Sequence, residues 1–181
     1  MSAVRFWAFF LGALAADQVT KSWAQGNAAA LREHPVLVLD FINGPEAFLE
    51  FTYITNPGAA WSMFSNFPEV LTVLAFVALV GIYLFRHSLE LEKVGPQIIF
   101  GLISGGIAGN LCDRLFRTPA EGYRRGVVDF IDVYLPLLDY DYPIFNLADS
   151  FIFLGVFSYI IRGFREAAEE KKAALASETT N

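Results

Sequence analysis

The segment FWAFFLGALAADQVTK, residues 6–21, lies near the start of the chain and indicates the fold most strongly. Its first part is an unbroken apolar run, and its second part carries Asp17 and Lys21 four residues apart. Residues at this spacing share a helix face, so the two charges can pair. A helix needs roughly 20 mostly apolar residues to cross a bilayer. The stretch therefore predicts a membrane-spanning helix over residues 6–24, with an ion pair toward one end.

The same run also fits a cleavable secretory leader. Arg5 precedes it, and Ala13-Leu14-Ala15 matches a small-residue cleavage site. The helical pattern nevertheless continues past this site through Asp17 and Lys21. Cleavage would also leave three spans and place the chain ends on opposite sides of the membrane. We therefore expect the first helix to be retained.

The composition indicates that lipid is the solvent for much of this chain. Hydrophobic residues make up 55% of the 181 residues and charged residues only 18%, and 18 residues are Phe. The net charge is −6 and the basic residues are scattered, so no nucleic-acid partner is expected. Cys112 is the single cysteine, which excludes an intramolecular disulfide. Together with two His it offers too few ligands for a zinc site, and no cofactor is expected.

Three further apolar windows predict an α-helical membrane protein with four transmembrane helices. The predicted spans cover about residues 6–24, 67–85, 94–112 and 144–161. In the third span Gly101, Gly105 and Gly109 recur every four residues, a spacing that lets helix backbones approach closely. We expect this glycine stripe to pack the first, third and fourth spans together. Residues 1–165 then form one membrane-embedded domain, and residues 166–181 form a charged cytoplasmic tail.

Two polar excursions leave the bilayer on the same side of such a protein. Residues 35–43 and 48–56 are rich in β-branched and aromatic residues and flank Asn43-Gly44-Pro45, which predicts a small extracytoplasmic β-sheet. Residues 127–138 predict an amphipathic helix lying in the interface. Lysine and arginine are nearly balanced between the two sides, and they favour cytoplasmic termini only slightly.

Polar residues collect near one end of the predicted spans, where an ionisable group is costly and often functional. The set comprises Asp17, Lys21, Asn56, Asn110, Asp113, Arg114, Asp129, Asn146 and Asp149. Asp17 with Lys21, and Asp113 with Arg114, are expected to form ordinary ion pairs. Asp129 and Asp149 have no adjacent cation of this kind. Two such carboxyls close together share a proton, so one can act as a base and the other as an acid.

The residues by themselves leave other interpretations open. A Ser/Lys peptidase would use Ser62 with Lys21. A proton-coupled transporter would also place carboxylates in the membrane, although the chain shows no internal repeat. A structural membrane subunit would use the polar set only for folding.

Five ordered motifs resemble those of the lipoprotein signal peptidase family, also called signal peptidase II. They are Asp17-Gln-Val-Thr-Lys21, Asn56-Pro-Gly-Ala-Ala-Trp-Ser62, Gly105-Gly-Ile-Ala-Gly-Asn-Leu-Cys-Asp-Arg114, Val127-Val-Asp-Phe130 and Phe145-Asn-Leu-Ala-Asp-Ser150. The resemblance covers residues 5–163. It implies an aspartic peptidase of the bacterial inner membrane that needs no cofactor. The implied substrate is a prolipoprotein, cut on the amino side of a Cys that carries diacylglycerol.

The resemblance also implies roles for single residues. Asp129 and Asp149 correspond to the catalytic pair. The residues that correspond to the supporting set are Asp17, Lys21, Asn56, Gly58, Asn110, Asp113, Arg114 and Asn146. Cytoplasmic termini, a catalytic pair at the periplasmic face and a sheet that cradles the substrate are implied as well, and we expect a monomer surrounded by membrane lipids. Trp61 stands where the family usually has Phe, and the first excursion and the tail are longer than usual.

Overall fold

The computed structural model describes residues 3–40, 47–58 and 63–178, which form helices and one β-sheet. In chain order the elements are α1 (Val4–Gly26), α2 (Ala28–Glu33), β1 (Val36–Leu39), β2 (Leu49–Asn56), α3 (Pro68–Leu84), α4 (Val94–Phe116), β3 (Val127–Leu135), β4 (Tyr140–Phe145) and α5 (Leu147–Glu178). The predicted helices at 6–24, 67–85 and 94–112 correspond to α1, α3 and α4, with ends that differ by a few residues.

Helix α4 lies at the centre of the helical layer because its glycines leave room for two neighbours. A Cβ added to Gly105 would lie 2.6 Å from the carbonyl oxygen of Phe10 in α1. A Cβ added to Gly106 would lie 2.5 Å from the carbonyl oxygen of Ala148 in α5. Any larger side chain would push these helices apart. The prediction that the small residues of the third span pack it against the first and fourth spans is confirmed.

The sheet is antiparallel with the strand order β1-β2-β3-β4. It covers the end of α1 and the short helix α2, because Val128 and Phe130 of β3 pack with Leu31 and Tyr53 in one buried cluster. Side chains alternate between the faces of a strand, so Asp129 points to the opposite face. The predicted strands of the first excursion are confirmed as β1 and β2, while residues 41–46 lie outside the described part.

The prediction of an amphipathic helix over residues 127–138 is wrong. Residues 127–135 form β3, which hydrogen-bonds to β2 on one side and to β4 on the other. The segment VVDFIDVYL is dominated by β-branched and aromatic residues, which favour a pleated strand. In the folded protein β2 and β4 lie on either side of this segment and hydrogen-bond to its backbone, which favours the strand over a surface helix.

The helix that contains the fourth predicted span differs from residues 144–161 at both ends. Ile144 and Phe145 belong to β4, and α5 begins at Leu147. The same helix then runs without a break into the charged segment and ends at Glu178. Residues 166–176 are solvent-exposed, as the polar composition of this tail predicts.

The surface of the helical layer is apolar. Two helices of the described chain are long and apolar enough to cross a membrane, Val94–Phe116 and Leu147–Ala176, and Pro68–Leu84 is a shorter apolar helix. Phe76 in α3 and Phe153 in α5 are both more than 60% exposed, a costly arrangement in water. Helix α1 is less apolar because it carries the polar residues Asp17, Gln18 and Lys21. The four-span topology therefore remains a prediction.

Candidate active site

Asp129 and Asp149 border one cavity of about 510 Å³ between the sheet and the helices. Asp129 comes from β3 and is 3% exposed, and Asp149 lies in the first turn of α5. The remaining lining residues are Asn56, Gly58, Asn110, Arg114, Val127, Tyr142, Pro143, Ile144, Phe145, Ile152, Phe153 and Val156. The wall therefore combines polar groups with apolar side chains of β4 and α5.

Asn146 joins the two carboxyls. Its side-chain amide donates to Asp129 Oδ1 at 2.6 Å, and its backbone N–H donates to Asp149 Oδ2 at 3.2 Å. The backbone N–H of Asp149 in turn donates to Asn146 Oδ1 at 3.1 Å. These reciprocal bonds form a capping box at the start of α5. The local geometry of the helix start therefore fixes Asp149 relative to Asp129.

Asn110 and Asn56 complete the contacts of the two carboxyls. The Asn110 amide donates to Asp149 Oδ1 at 2.8 Å, while Asn56 hydrogen-bonds the side chain of Asp129. Burial and then the negative charge of Asp149 raise the pKa of Asp129 to about 7. The hydrogen bonds of Asn146 and Asn56 to Asp129 offset part of that rise. Asp129 is therefore suited to hold a proton near neutral pH.

Lys21 occupies the centre of a buried polar cluster beside the two aspartates. Its ammonium group lies 3.0 Å from Asp17 Oδ2, 3.1 Å from Asp113 Oδ2 and 2.7 Å from Asn110 Oδ1. The Lys21 side chain is fully buried. The predicted Asp17–Lys21 pair is confirmed, and the three oxygen contacts use the three ammonium protons.

Asp17 and Asp113 each also accept a backbone N–H from the residue that precedes one of the two cavity aspartates. Asp17 Oδ1 accepts the N–H of Ala148 at 3.0 Å, and Asp113 Oδ2 accepts the N–H of Val128 at 3.1 Å. Ala148 and Val128 are both completely buried. Each supporting carboxylate therefore holds the residue that precedes one member of the Asp129–Asp149 pair.

The prediction of an ion pair between Asp113 and Arg114 is wrong. Arg114 donates instead to the carbonyl oxygens of Gly58 at 3.1 Å and Asn110 at 3.3 Å, while Asp113 pairs with Lys21 and Arg117. Adjacent residues on a helix do not face each other, whereas residues four apart do. Arg114 consequently faces the cavity, and Asp113 faces the buried cluster.

A sequence model of the signal peptidase (SPase) II family matches residues 9–165. The chain belongs to the signal peptidase II family. This signal peptidase II family member is 35% identical over 164 residues to a lipoprotein signal peptidase from Nostoc punctiforme (strain ATCC 29133 / PCC 73102), a match that covers 89% of this chain and 87% of that protein. The resemblance inferred from the five motifs is confirmed.

Two solved structures share the fold of this signal peptidase II family member. A bacterial membrane enzyme determined by the in meso method at 2.3 Å resolution has a TM-score of 0.68 and 26% identity, and covers 90% of this chain and 88% of its own. A second, determined by the same method at 1.9 Å, has a TM-score of 0.59 and 28% identity, with coverages of 86% and 89%. Together with the apolar helices, these similarities make the chain a membrane enzyme.

Sequence reasoning missed the outer part of the buried cluster. Arg117 donates to Asp113 Oδ1 at 2.6 Å, to Gln25 Oε1 at 2.9 Å and to Gln18 Oε1 at 2.9 Å. The spacing of four residues between Asp113 and Arg117 was the available signal. The contacts with α1 span more than 90 residues of sequence and leave no local pattern.

The structure also bears on the Ser/Lys interpretation. Ser62 and Trp61 lie outside the described residues. The Lys21 nitrogen contacts three oxygens, two of them carboxylate oxygens. Because these contacts use the three hydrogen-bonding directions of the amino group, the nitrogen is not placed to accept a proton from a serine hydroxyl. Among the described residues, no group of three or more His, Cys, Asp or Glu side chains could hold a metal ion.

Proposed function

We propose that this signal peptidase II family member removes the signal peptide of diacylglyceryl prolipoproteins, with Asp129 and Asp149 as its catalytic pair. Family membership supports the cleavage of lipoprotein signal peptides by an aspartic peptidase. The observation that carries the residue assignment is that both carboxyls border one cavity while Asn146 bonds to each of them. A buried pair that shares one proton can supply the base and the acid of peptide hydrolysis.

The proposed reaction needs only these two carboxyls and water. Asp149 takes a proton from water as the water oxygen bonds to the scissile carbonyl carbon. Asp129 gives its proton to the carbonyl oxygen, which yields a neutral tetrahedral intermediate. Asp149 then gives the water-derived proton to the leaving nitrogen, and Asp129 takes a proton back from a hydroxyl group of the intermediate. The C–N bond breaks, which leaves a carboxyl group on the signal peptide and a free amine on the lipidated Cys. Asp149 is assigned the base role because its carboxylate accepts N–H groups from Asn110 and Asn146.

Arg114 is suited to bind the main chain of the substrate. It lines the cavity, and its Nε is buried without a hydrogen-bond partner among the described residues. The other guanidinium nitrogens are fixed by Gly58 and Asn110. A substrate carbonyl that accepted the Nε proton would satisfy this donor, which is costly to leave unpaired. Gly58 is itself held by a backbone donation to Asn56 Oδ1 at 2.9 Å.

The apolar wall of the cavity supports a lipidated substrate. Ile152, Phe153 and Val156 continue the cavity along α5, away from the two aspartates. Acyl chains against this wall would gain roughly 0.8 kcal/mol for each buried CH₂ group. Anchoring the chains here would hold the scissile bond at the depth of Asp129 and Asp149. The lipid therefore positions the scissile bond as well as increasing the affinity for the substrate.

The proposal includes a membrane topology and an assembly state. Helices α1, α3, α4 and α5 cross the bacterial inner membrane, both termini are cytoplasmic, and the two aspartates face the periplasm. Four spans would place both termini on one side, and the location of the sheet and the polar cluster at the same end of the helices supports this arrangement. At 17 residues, α3 meets the lower limit for a span. Residues 1–165 act as one monomeric domain in contact with membrane lipids.

The deciding experiment compares two forms of one substrate. Purified protein in detergent is incubated with a diacylglyceryl prolipoprotein and with the same precursor lacking lipid. We expect the lipidated form to be cut before its modified Cys, and the unlipidated form far more slowly even at high concentration. Serine-directed and metal-directed inhibitors should leave the reaction unchanged. Equal rates for the two precursors would remove the lipid requirement from the proposal, and no cleavage of either would overturn it.

A further inference from the structure

Arg117 ends the α4 segment and reaches back to α1, so that its guanidinium joins two helices. Its Nε and both terminal nitrogens donate, to Asp113, Gln25 and Gln18 respectively. The side chain is 12% exposed, and Arg117 is not part of the wall of the cavity that holds Asp129 and Asp149. It therefore belongs to the layer behind the cavity and does not reach the substrate.

The charge of Arg117 balances the buried cluster. Asp17 and Asp113 carry two negative charges, whereas Lys21 supplies one positive charge and divides it between them. Arg117 adds the second cation, 2.6 Å from the Asp113 oxygen that Lys21 does not contact. A buried carboxylate left without its partner is strongly disfavoured. Asp113 is consequently held in a fixed position through contacts at both of its oxygens.

The Asp113 carboxylate hydrogen-bonds the residue that precedes one of the two cavity aspartates. Asp113 Oδ2 accepts the N–H of Val128, and Asp129 is the next residue along β3. We propose that Arg117 is a positioning residue for the peptidase reaction: it holds Asp113, which fixes the backbone at Val128 and so places Asp129 in the cavity. This inference rests on the proposed function, since it assigns Asp129 a catalytic role.

The test is a comparison of kcat, KM and stability in the Arg117→Ala variant. Displacing a catalytic group by about 1 Å can cost 100-fold in rate. We therefore expect kcat to fall about 10- to 100-fold while KM stays within about twofold, because the substrate cavity is untouched. Amide hydrogen exchange should become faster at Val128 in the same variant. Arg117→Lys retains the charge but not the fork of donors, and should recover much of the lost kcat.

Arg124→Ala is the matched control, since it removes an exposed arginine from the segment that follows α4. It should leave kcat, KM and Val128 exchange at wild-type values. An Arg117→Ala enzyme with wild-type kcat and wild-type exchange would overturn the inference. If Arg117→Ala does not fold, Arg117→Gln, which keeps an amide donor but removes the charge, decides: lowered kcat at unchanged KM supports positioning, and wild-type kcat limits Arg117 to stability. A wild-type protein that cleaves nothing would instead contradict the proposed function, and the exchange measurement would still report on Arg117.

Discussion

Asp17 of the first helix accepts the backbone N–H of Ala148 at the start of the last helix, at 3.0 Å and across 131 residues of sequence. The bond is completely buried, and Lys21 holds the other oxygen of the same carboxylate at 3.0 Å. The Asp17–Lys21 ion pair of α1 therefore fixes the backbone at Ala148, the residue before Asp149. Stability and site geometry depend on the same buried charges.

Replacing Lys21 should therefore be among the most damaging single substitutions. Lys21→Met leaves the Asp17 and Asp113 carboxylates buried without their shared cation, and removing one partner from such a pair costs about 3–5 kcal/mol. We expect a marked fall in Tm in detergent and a low yield of folded protein. Lys93→Met is the control, because Lys93 forms an exposed pair with Glu90 and its replacement should leave Tm at the wild-type value. Equal Tm values for the two variants would contradict the role of Lys21.

Loss of either cavity carboxyl should abolish cleavage without unfolding the protein. An amide has nearly the shape of a carboxyl but cannot transfer the proton, so Asp129→Asn and Asp149→Asn should each lower kcat about 100- to 10,000-fold. Circular dichroism and gel filtration should match the wild type. Asp141→Asn, an exposed residue of β4, should retain full activity. Near-normal turnover by Asp129→Asn would refute the assignment of the pair.

The pKa of Asp129 predicts how stability depends on pH. Burial and the charge of Asp149 raise this pKa to about 7, whereas an unfolded Asp ionises near pH 4. Between these values the unfolded state binds fewer protons at this residue, so the contribution of Asp129 to stability falls as pH rises through this range, by roughly 4 kcal/mol in total. Asp129→Asn lacks this titration. Its Tm should exceed that of the wild type at pH 8.5, and the difference should shrink toward pH 4.

Thermal unfolding from pH 4 to pH 8.5 checks this expectation, with Asp141→Asn as a variant that should show no such trend. A Tm difference for Asp129→Asn that stays constant across this range would count against a raised pKa. In the cleavage assay kcat/KM should decline above about pH 7, because Asp129 then no longer holds the proton that the proposed reaction uses.

The glycines of α4 should differ sharply from an exposed glycine in their tolerance of a methyl group. Gly105→Ala would place Cβ 2.6 Å from the Phe10 carbonyl oxygen and 2.8 Å from Ala13 Cβ, which forces α1 away from α4. We expect a loss of about 1–3 kcal/mol, seen as a lower Tm. A Cβ at Gly12 would meet nothing within 4 Å, so Gly12→Ala should be neutral or slightly stabilising. A Gly105→Ala protein as stable as Gly12→Ala would contradict the close packing.

Reporter fusions test the proposed topology. Fusions at residues 40 and 120 should report the periplasm, and fusions at residues 90 and 175 should report the cytoplasm. Residues 40 and 120 lie at the end of the helices that carries the sheet. Residues 90 and 175 lie near the ends of α3 and α5 that are far from the sheet. A periplasmic signal at residue 175 would contradict the four-span arrangement and revive a cleaved leader or a further span.

The sequence by itself determined the features that depend on local spacing and on solvent. The apolar windows of α1, α3 and α4, the Asp17–Lys21 pair and the small residues that pack α4 were all predicted correctly. An i,i+4 ion pair and a glycine stripe are formed within one helix, so they are visible in one segment of sequence. The five motifs together also identified the family.

Only the tertiary structure decided which distant groups meet. The choice of strand over helix for residues 127–135 depended on two neighbouring strands, and the partners of Asp113 depended on how α4 packs against α1. The proximity of Asp129 and Asp149, which their separation in sequence does not encode, required Asn146 to start α5 beside β3. Long-range contacts form through the summed packing of many elements, so no short segment of sequence contains them.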